Sequence, residues 1–134
     1  MALIVGYDRH PASRAALVFA GELAGALNVP VHVVHVLDGS DTTDRDADLE
    51  RQRVADVLGA ADLQWTYHRT RGDPAESLLE AADEHSALML VVGRPQRGVE
   101  ATLGHLVTGS VTRNVLRHSH RPVVVVPEYG GGSH

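Results

Sequence analysis

The stretch ALMLVVGR at residues 87–94 is followed, after a glycine-containing segment, by GSVTRNVLRHSH at 109–120 and RPVVVV at 121–126. An apolar run of this length ending in glycine is typical of a strand buried on both faces of a sheet. The four valines predict a second strand of the same kind, and the periodic apolar residues between the two runs predict a helix. Two buried strands joined through a helix run parallel. The segment therefore predicts an α/β fold.

The same alternation of strand and helix extends through the rest of the chain, with an acidic, polar segment at 38–48 that is expected to be mobile where it begins. In the last helix, Val111, Val115 and Leu116 are expected to face inward. Alternating strands and helices predict a parallel sheet covered by helices on both faces. Strands are predicted at 2–7, 30–37, 63–69, 87–92 and 123–126, and helices at 11–27, 49–60, 75–85 and after Gly109.

Length and composition indicate one ordinary domain. The chain has 134 residues, of which 43% are hydrophobic, and domains most often hold roughly 100 to 150 residues. We expect residues 1–129 to form this domain and residues 130–134, which are rich in glycine, to form a flexible tail.

Charge and residue usage exclude several classes of function. The net charge is −5 and the charged residues are scattered, so no nucleic-acid partner is expected. The chain has no cysteine and no lysine, which excludes thiol catalysis, a Schiff base and a P-loop lysine. The first apolar run is too short for a signal peptide, and no segment approaches the ~20 apolar residues of a membrane span. The sequence predicts a cytoplasmic protein without a membrane partner.

A ligand site is predicted where strands end. In open α/β sheets the ligand crevice lies beyond the carboxyl ends of the strands, where the strand order reverses. Asp8 follows the first strand and Gly93 ends the fourth. If these two strands are neighbours, the two residues face each other across the crevice. Gly93 has no side chain, so it can let a ligand approach the backbone closely.

The pair Gly109-Ser110 is predicted to begin the last helix. A helix N-terminus offers unpaired N–H groups to an anion, the hydroxyls of Ser110 and Thr112 would add donors, and Arg97 would add charge. A second interpretation stays open, in which the glycines only form the loop and Ser110 caps the helix. The spacing from Gly104 to Ser110 is that of a P-loop, but the lysine is missing.

No metal site is predicted from the nine histidines. His118 and His120 can face the same side of an extended segment, but no third ligand can be placed beside them. His32 and His35 are three apart in a predicted strand, so their side chains point to opposite faces. The sequence therefore offers no shared set of ligands.

Four segments of the chain resemble the universal stress protein family. They are IVGYD at 4–8, HVVHVL at 32–37, GDPAESLLEAADEHSALMLVVGR at 72–94 and GSVTRNVLRHSHRPVVVVP at 109–127. The resemblance implies a Rossmann-like three-layer α/β/α fold with a five-stranded parallel sheet of order 3-2-1-4-5. It also implies a homodimer in which the last strand, Val123 to Val126, pairs antiparallel with its copy.

Many members of that family bind ATP through a Gly-x2-Gly-x9-Gly-Ser/Thr motif, and others lack it. By this resemblance Asp8 lies near the ribose and adenine, and the end of strand two offers backbone to the adenine. The middle of the motif departs from the pattern, because the first and last glycines are three residues further apart and Gly98 is only the best candidate for the middle position. The residues that the resemblance assigns to an adenine nucleotide are Asp8, Val36, Leu37, Val92, Gly93, Gly98, Gly109, Ser110, Val111 and Thr112.

Three functions remain open from the sequence. The first is an ATP-binding stress-response module that acts as a homodimer, with Mg²⁺ held mainly by phosphate oxygens. The second is a slow ATPase or a protein that phosphorylates itself on Ser110, although no catalytic residue can be assigned. The third is a nucleotide-free dimer that serves as a scaffold for partner proteins.

Overall fold

The computed structural model of the chain describes residues 1–37, 44–59, 62–94 and 105–128. Strands and helices alternate from the first residues to the last described ones, as the sequence predicted. The strands are β1 (Ala2–Tyr7), β2 (Val31–Leu37), β3 (Trp65–Arg71), β4 (Ala87–Arg94) and β5 (Val123–Pro127), and the helices are α1 (Pro11–Leu27), α2 (Asp44–Leu58), α3 (Pro74–Glu84) and α4 (His105–His118). The predicted tail at 130–134 lies outside the described residues.

The five strands form one sheet of order β3-β2-β1-β4-β5, and every neighbouring pair is parallel. This confirms the predicted fold and strand order. Because all strands point the same way, their carboxyl ends meet at one edge of the sheet and their amino ends at the other. The order reverses between β1 and β4, so the ends of these two strands lie side by side.

Two apolar cores cover the two faces of the sheet. On one face, buried residues of α1 and α2 such as Leu17, Val54 and Leu58 pack against the odd-numbered residues of β1. On the other face, α3 and α4 contribute Leu78 and Val115, which pack around Ile4, Leu90 and Val92. Within the described ranges, no helix is long and apolar enough to cross a membrane.

Helix α2 begins at Asp44, five residues before the predicted start at Leu49. The residues before Leu49 are acidic and polar, which does not by itself indicate a helix. Carboxylates near a helix N-terminus are favoured by the partial positive charge there, and the stretch DRDAD carries three aspartates. The first turn is thus compatible with a helix.

Helix α4 begins at His105, not after Gly109 as predicted. Glycine is common in loops, so Gly109 predicts the end of a loop. A glycine inside a helix lowers its stability by only about 1 kcal/mol relative to alanine, so the helix can include it. Leu116 was expected to face inward and is 52% exposed. Val111 and Val115 lie four residues apart, on the face of this helix that packs against the core. Leu116 lies on a different face of the helix.

The entry to α3 is defined by three consecutive residues. Gly72 has a φ of +131°, Asp73 caps the helix by accepting a hydrogen bond from the Glu76 N–H at 2.9 Å, and Pro74 occupies the first turn. Proline suits this position because an N–H in the first turn has no partner inside the helix, so the lack of one costs no hydrogen bond. The cap therefore sets the direction in which α3 leaves β3 and carries Leu78 to the sheet.

We expect Asp73→Ala to lower the free energy of unfolding by about 1 kcal/mol, because the capped N–H loses its acceptor. Asp73→Ser is the matched control, since a serine hydroxyl can still accept the bond. Urea unfolding of both variants measures the difference. Equal losses in the two would show that the carboxylate matters for something other than capping.

Candidate functional site

A cavity of about 260 Å³ lies at the carboxyl ends of β1, β2 and β4. This is the edge where the strand order reverses, which is where ligands bind in open α/β sheets. Helices α1, α3 and α4 complete its walls. The lining residues are Gly6, Tyr7, Asp8, His10, Ala12, Ser13, Val34, Val36, Pro74, Leu78, Val92, Gly93, Val111 and Thr112.

The inner part of the cavity is apolar. Val34 and Val36 lie two apart in β2 and so point to the same face of the sheet, where Leu78 and Val92 join them. Gly6 leaves room between these side chains, since a Cβ at this position would lie 3.1 Å from Leu78 Cδ1. The result is an apolar slot suited to a flat ring system.

The rim of the cavity carries the carboxylate of Asp8. Its Oδ1 accepts hydrogen bonds from the His10 N–H and the Ser13 hydroxyl, both at 2.8 Å. The Asp8 N–H in turn donates to Ser13 Oγ at 2.7 Å. These bonds fix the carboxylate while its side chain stays 43% exposed. Among the hydrogen bonds of the described residues, none uses Oδ2, so this oxygen can accept from a ligand.

Thr112 forms the opposite part of the rim. Its hydroxyl donates to the Gly93 carbonyl at 3.4 Å, a long hydrogen bond that links the middle of α4 to the end of β4. Val111, the neighbouring residue in α4, is half-buried against the core on this face. Helix α4 therefore closes the cavity on the side away from Asp8.

Gly93 is required by the packing of α1. A Cβ at this position would lie 2.3 Å from the carbonyl oxygen of Ala12 and 2.9 Å from its Cβ. The backbone of α1 thus occupies the space that a side chain would need. The sequence predicts that this glycine lets a ligand approach the backbone, whereas in the structure the first turn of α1 makes the close approach. The glycine also does not have a positive φ.

Beneath the rim, a buried polar network anchors α2 to the sheet. Glu50 is only 4% exposed, and it accepts a hydrogen bond from the Tyr7 hydroxyl at 2.6 Å. Arg9 and Arg53 pair with its other oxygen at 3.3 and 3.1 Å. A buried carboxylate needs such partners, because an unpaired one would be costly. The network holds Tyr7 at the cavity wall.

Burial and this carboxylate change the acid–base properties of the neighbouring side chains. Burial, followed by the hydrogen bond to Glu50, raises the pKa of Tyr7 far above its usual value. Burial also lowers the pKa of His35, whose Nδ1 lies 2.7 Å from the Tyr67 hydroxyl. At neutral pH these groups therefore stay uncharged, and they act as a hydrogen-bonded support rather than as acids or bases.

The structure brings together six of the residues proposed from the sequence and leaves the others elsewhere. Leu37 is buried but does not line the cavity, and Ser110 is exposed in the second turn of α4. Because α4 begins at His105, the unpaired N–H groups of its first turn precede Gly109, so this pair does not begin the helix. Arg97 and Gly98 lie outside the described residues. The six that line the cavity are Asp8, Val36, Val92, Gly93, Val111 and Thr112.

Sequence reasoning missed several residues of the cavity. Ser13 is five residues after Asp8, and its role as the partner of that carboxylate depends on the turn at His10 that starts α1. Val34 could have been found, because the period of two along β2 puts it beside Val36. Leu78 comes from a helix, and no local signal shows which strand ends it would cover.

We expect Gly93→Ala to lower the free energy of unfolding by about 3 kcal/mol, because the new Cβ collides with backbone that cannot move aside easily. Gly25→Ala in α1 is the control. Its Cβ would meet only Leu63 Cδ2 at 3.9 Å, so this helical substitution should stabilise the protein by about 0.5–1 kcal/mol. Chemical denaturation measures both. A Gly93→Ala variant as stable as the parent would contradict the packing explanation.

Comparison with known proteins gives consistent results. The model of the universal stress protein family matches residues 1–127. The stress response protein NhaX of Bacillus subtilis (strain 168) is 26% identical over 162 positions, covering 92% of this chain and 96% of NhaX. A universal stress protein from Archaeoglobus fulgidus in complex with dAMP is 26% identical, with a TM-score of 0.71 over 94% of this chain and 97% of that one. A universal stress protein in complex with cAMP is 28% identical, with a TM-score of 0.74 over 96% and 98% of the two chains.

Proposed function

We propose that this chain, which belongs to the universal stress protein family, binds an adenine nucleotide in the cavity at the carboxyl ends of β1, β2 and β4. The expected ligand is ATP, and the expected role is that of a dimeric stress-response module in the cytoplasm, built from one domain at residues 1–129. One observation carries the proposal: six residues assigned to the nucleotide from the sequence line a single cavity. Two similar structures that contain dAMP and cAMP support the same ligand class.

The apolar slot is the expected site of the adenine. Val34 is opposite Gly6 in β2, Val92 lies beside it from β4, and Val36 is two residues beyond Val34 on the same face. These side chains offer apolar contact, and the missing side chain of Gly6 leaves room for the ring. The volume of about 260 Å³ lies at the low end of ligand pockets. It suits a base with its sugar, so the phosphates of ATP would extend out of the cavity.

Asp8 is the expected acceptor for the ribose hydroxyls. The carboxylate is held by Ser13 and the His10 N–H through Oδ1, and Oδ2 makes no hydrogen bond among the described residues. A charged acceptor that is already oriented loses little entropy on binding.

The phosphates would be bound by hydroxyls and by the segment between β4 and α4. Thr112 lines the cavity, and Ser110 is exposed one half-turn earlier in the same helix. The assignment of Gly98 and Gly109 to the phosphates remains a prediction of the family resemblance, as does that of the Leu37 backbone to the adenine. The assignment of Arg97 remains a prediction from its positive charge. A Mg²⁺ ion would be held mainly by phosphate oxygens.

We expect Asp8→Asn to weaken ATP binding by about tenfold to a hundredfold, since hydrogen bonds to charged groups contribute roughly 1.5–3 kcal/mol. The asparagine Oδ1 can still accept from His10 and Ser13, so the turn into α1 should persist. Asp83→Asn is the matched control, because Asp83 is 74% exposed and pairs with Arg121 away from the cavity. Isothermal titration with and without Mg²⁺ gives the affinities.

Two results would contradict this proposal in different ways. Equal affinities for parent and Asp8→Asn would remove Asp8 from the site while leaving nucleotide binding intact. A folded parent that binds neither ATP nor AMP at millimolar concentration would remove the nucleotide altogether. The nucleotide-free scaffold would then be the better interpretation.

The dimer is proposed to form through β5. This strand lies at the edge of the sheet and pairs only with β4, and its four valines are half-exposed. An apolar edge strand with free backbone groups is normally covered in a native protein. A second copy pairing antiparallel across a two-fold axis would cover it symmetrically.

The hydrogen-bond pattern identifies which backbone groups of β5 are available. The Pro122 carbonyl accepts from the Leu90 N–H, and the Glu128 N–H donates to the Arg94 carbonyl, so even-numbered residues face β4. Backbone groups alternate along a strand, and Val123 and Val125 therefore point theirs away from the sheet. These two residues would make the hydrogen bonds to a second copy.

We expect Val125→Pro to shift the protein from dimer to monomer, because proline removes an outward N–H and leaves the pairing with β4 in place. Val125→Ala is the control, since it shortens the side chain but keeps the N–H. Sedimentation velocity across a concentration series measures the dissociation constant, which should rise at least tenfold for proline alone. A parent that is monomeric, or a Val125→Pro variant that remains a dimer, would exclude this interface.

A further inference from the structure

Three histidines converge at the edge of the sheet opposite the cavity. His32 is the second residue of β2, His68 lies in the middle of β3, and His85 directly follows α3. All three are half-buried, and their nearest ring nitrogens all lie within 4.8 Å of one another. None of them belongs to the cavity or to the dimer edge.

The fold itself brings these side chains together. In the parallel pairing of β2 with β3, His32 is opposite Thr66, and His68 is two residues further along on the same face. Diagonal neighbours of this kind are within reach of long side chains. That face is the one covered by α3, and the helix ends there with the His85 N–H bonded to the Ala81 carbonyl.

Two of the rings already have the spacing of ligands on one tetrahedral ion. His32 Nδ1 and His68 Nε2 are 3.1 Å apart, and two nitrogens on one tetrahedral zinc ion are about 3.3 Å apart. Their ring centroids are 5.2 Å apart, and those of His68 and His85 are 5.4 Å apart. Two imidazoles on one such ion have centroids about 5 Å apart.

The third pair must move to bind the same ion. The rings of His32 and His85 are stacked, with centroids 3.8 Å apart and an angle of 19° between the planes. His85 follows the end of a helix, so a rotation of its side chain opens the stack without disturbing the sheet. The Thr66 hydroxyl, 2.6 Å from His32 Nδ1 and 2.9 Å from His68 Nε2, adds a polar atom beside the two nitrogens.

We propose that His32, His68 and His85 form a binding site for one divalent transition-metal ion, with Zn²⁺ as the expected occupant. Three neutral imidazoles are a ligand set that suits zinc, copper and nickel rather than magnesium or calcium. Water supplies the fourth position. The ion joins β2 and β3 to the end of α3, so it acts as a crosslink between two strands and a helix.

The test is a titration of the purified protein with Zn²⁺ in competition with a chromogenic chelator. We expect one ion per chain, and at least tenfold weaker binding in each of the single variants His68→Gln and His85→Gln. His118→Gln is the matched control, because it removes a histidine outside the cluster whose Nδ1 lies 3.4 Å from its own helix carbonyl at Asn114. Circular dichroism verifies that each variant is folded. If His68→Gln does not fold, the comparison of the parent with His85→Gln tests the proposal.

Two further measurements distinguish a specific metal site from non-specific binding. Co²⁺ in place of Zn²⁺ should give the visible absorption of a tetrahedral complex in the parent and in His118→Gln, but not in His85→Gln. Zn²⁺ should also raise the melting temperature of the parent, because a ligand that binds only the native state stabilises it. Unchanged affinity in both cluster variants, or no binding at micromolar Zn²⁺, would overturn the proposal.

Discussion

The burial of β1 on both of its faces is the constraint on which the structure depends. Leu3, Ile4 and Val5 are fully buried, and alternate residues contribute to the two opposite cores. A strand that is apolar on both sides is stable only between two layers of helices. It therefore requires parallel neighbours with helical crossovers, and these place all carboxyl ends at one edge. The position of the cavity follows from this arrangement.

The two edges of the sheet differ in chemistry because different elements end there. At the carboxyl edge, strands end in Asp8 and Gly93, and a helix brings Thr112 over the gap, which gives an apolar slot with a polar rim. Towards the amino edge, β2 and β3 contribute His32 and His68, and His85 directly follows α3. The two sites lie on the face of the sheet that α3 covers, one towards each end of β2.

Buried polar interactions in this protein hold the walls of the cavity in position. Glu50 is buried beneath the rim, and its bonds to Tyr7 and Arg9 attach α2 to the end of β1. Ser13 similarly joins the first turn of α1 to Asp8. These groups come from different elements, and each is satisfied only when those elements are docked. Loss of one partner would leave a buried charge or hydroxyl unpaired, which is why such networks specify one arrangement.

The sequence by itself determined the order of strands and helices, and with the family resemblance the sheet order and six of the cavity residues. Apolar runs and turn residues are local signals, and a strand that ends in Asp8 or Gly93 must present it at the carboxyl edge. Only the tertiary structure decided that α4 starts before Gly109, that Gly93 accommodates the backbone at Ala12, and that Glu50 and the three histidines find partners. Those facts depend on contacts between residues far apart in the chain, and such contacts leave no periodicity in the sequence.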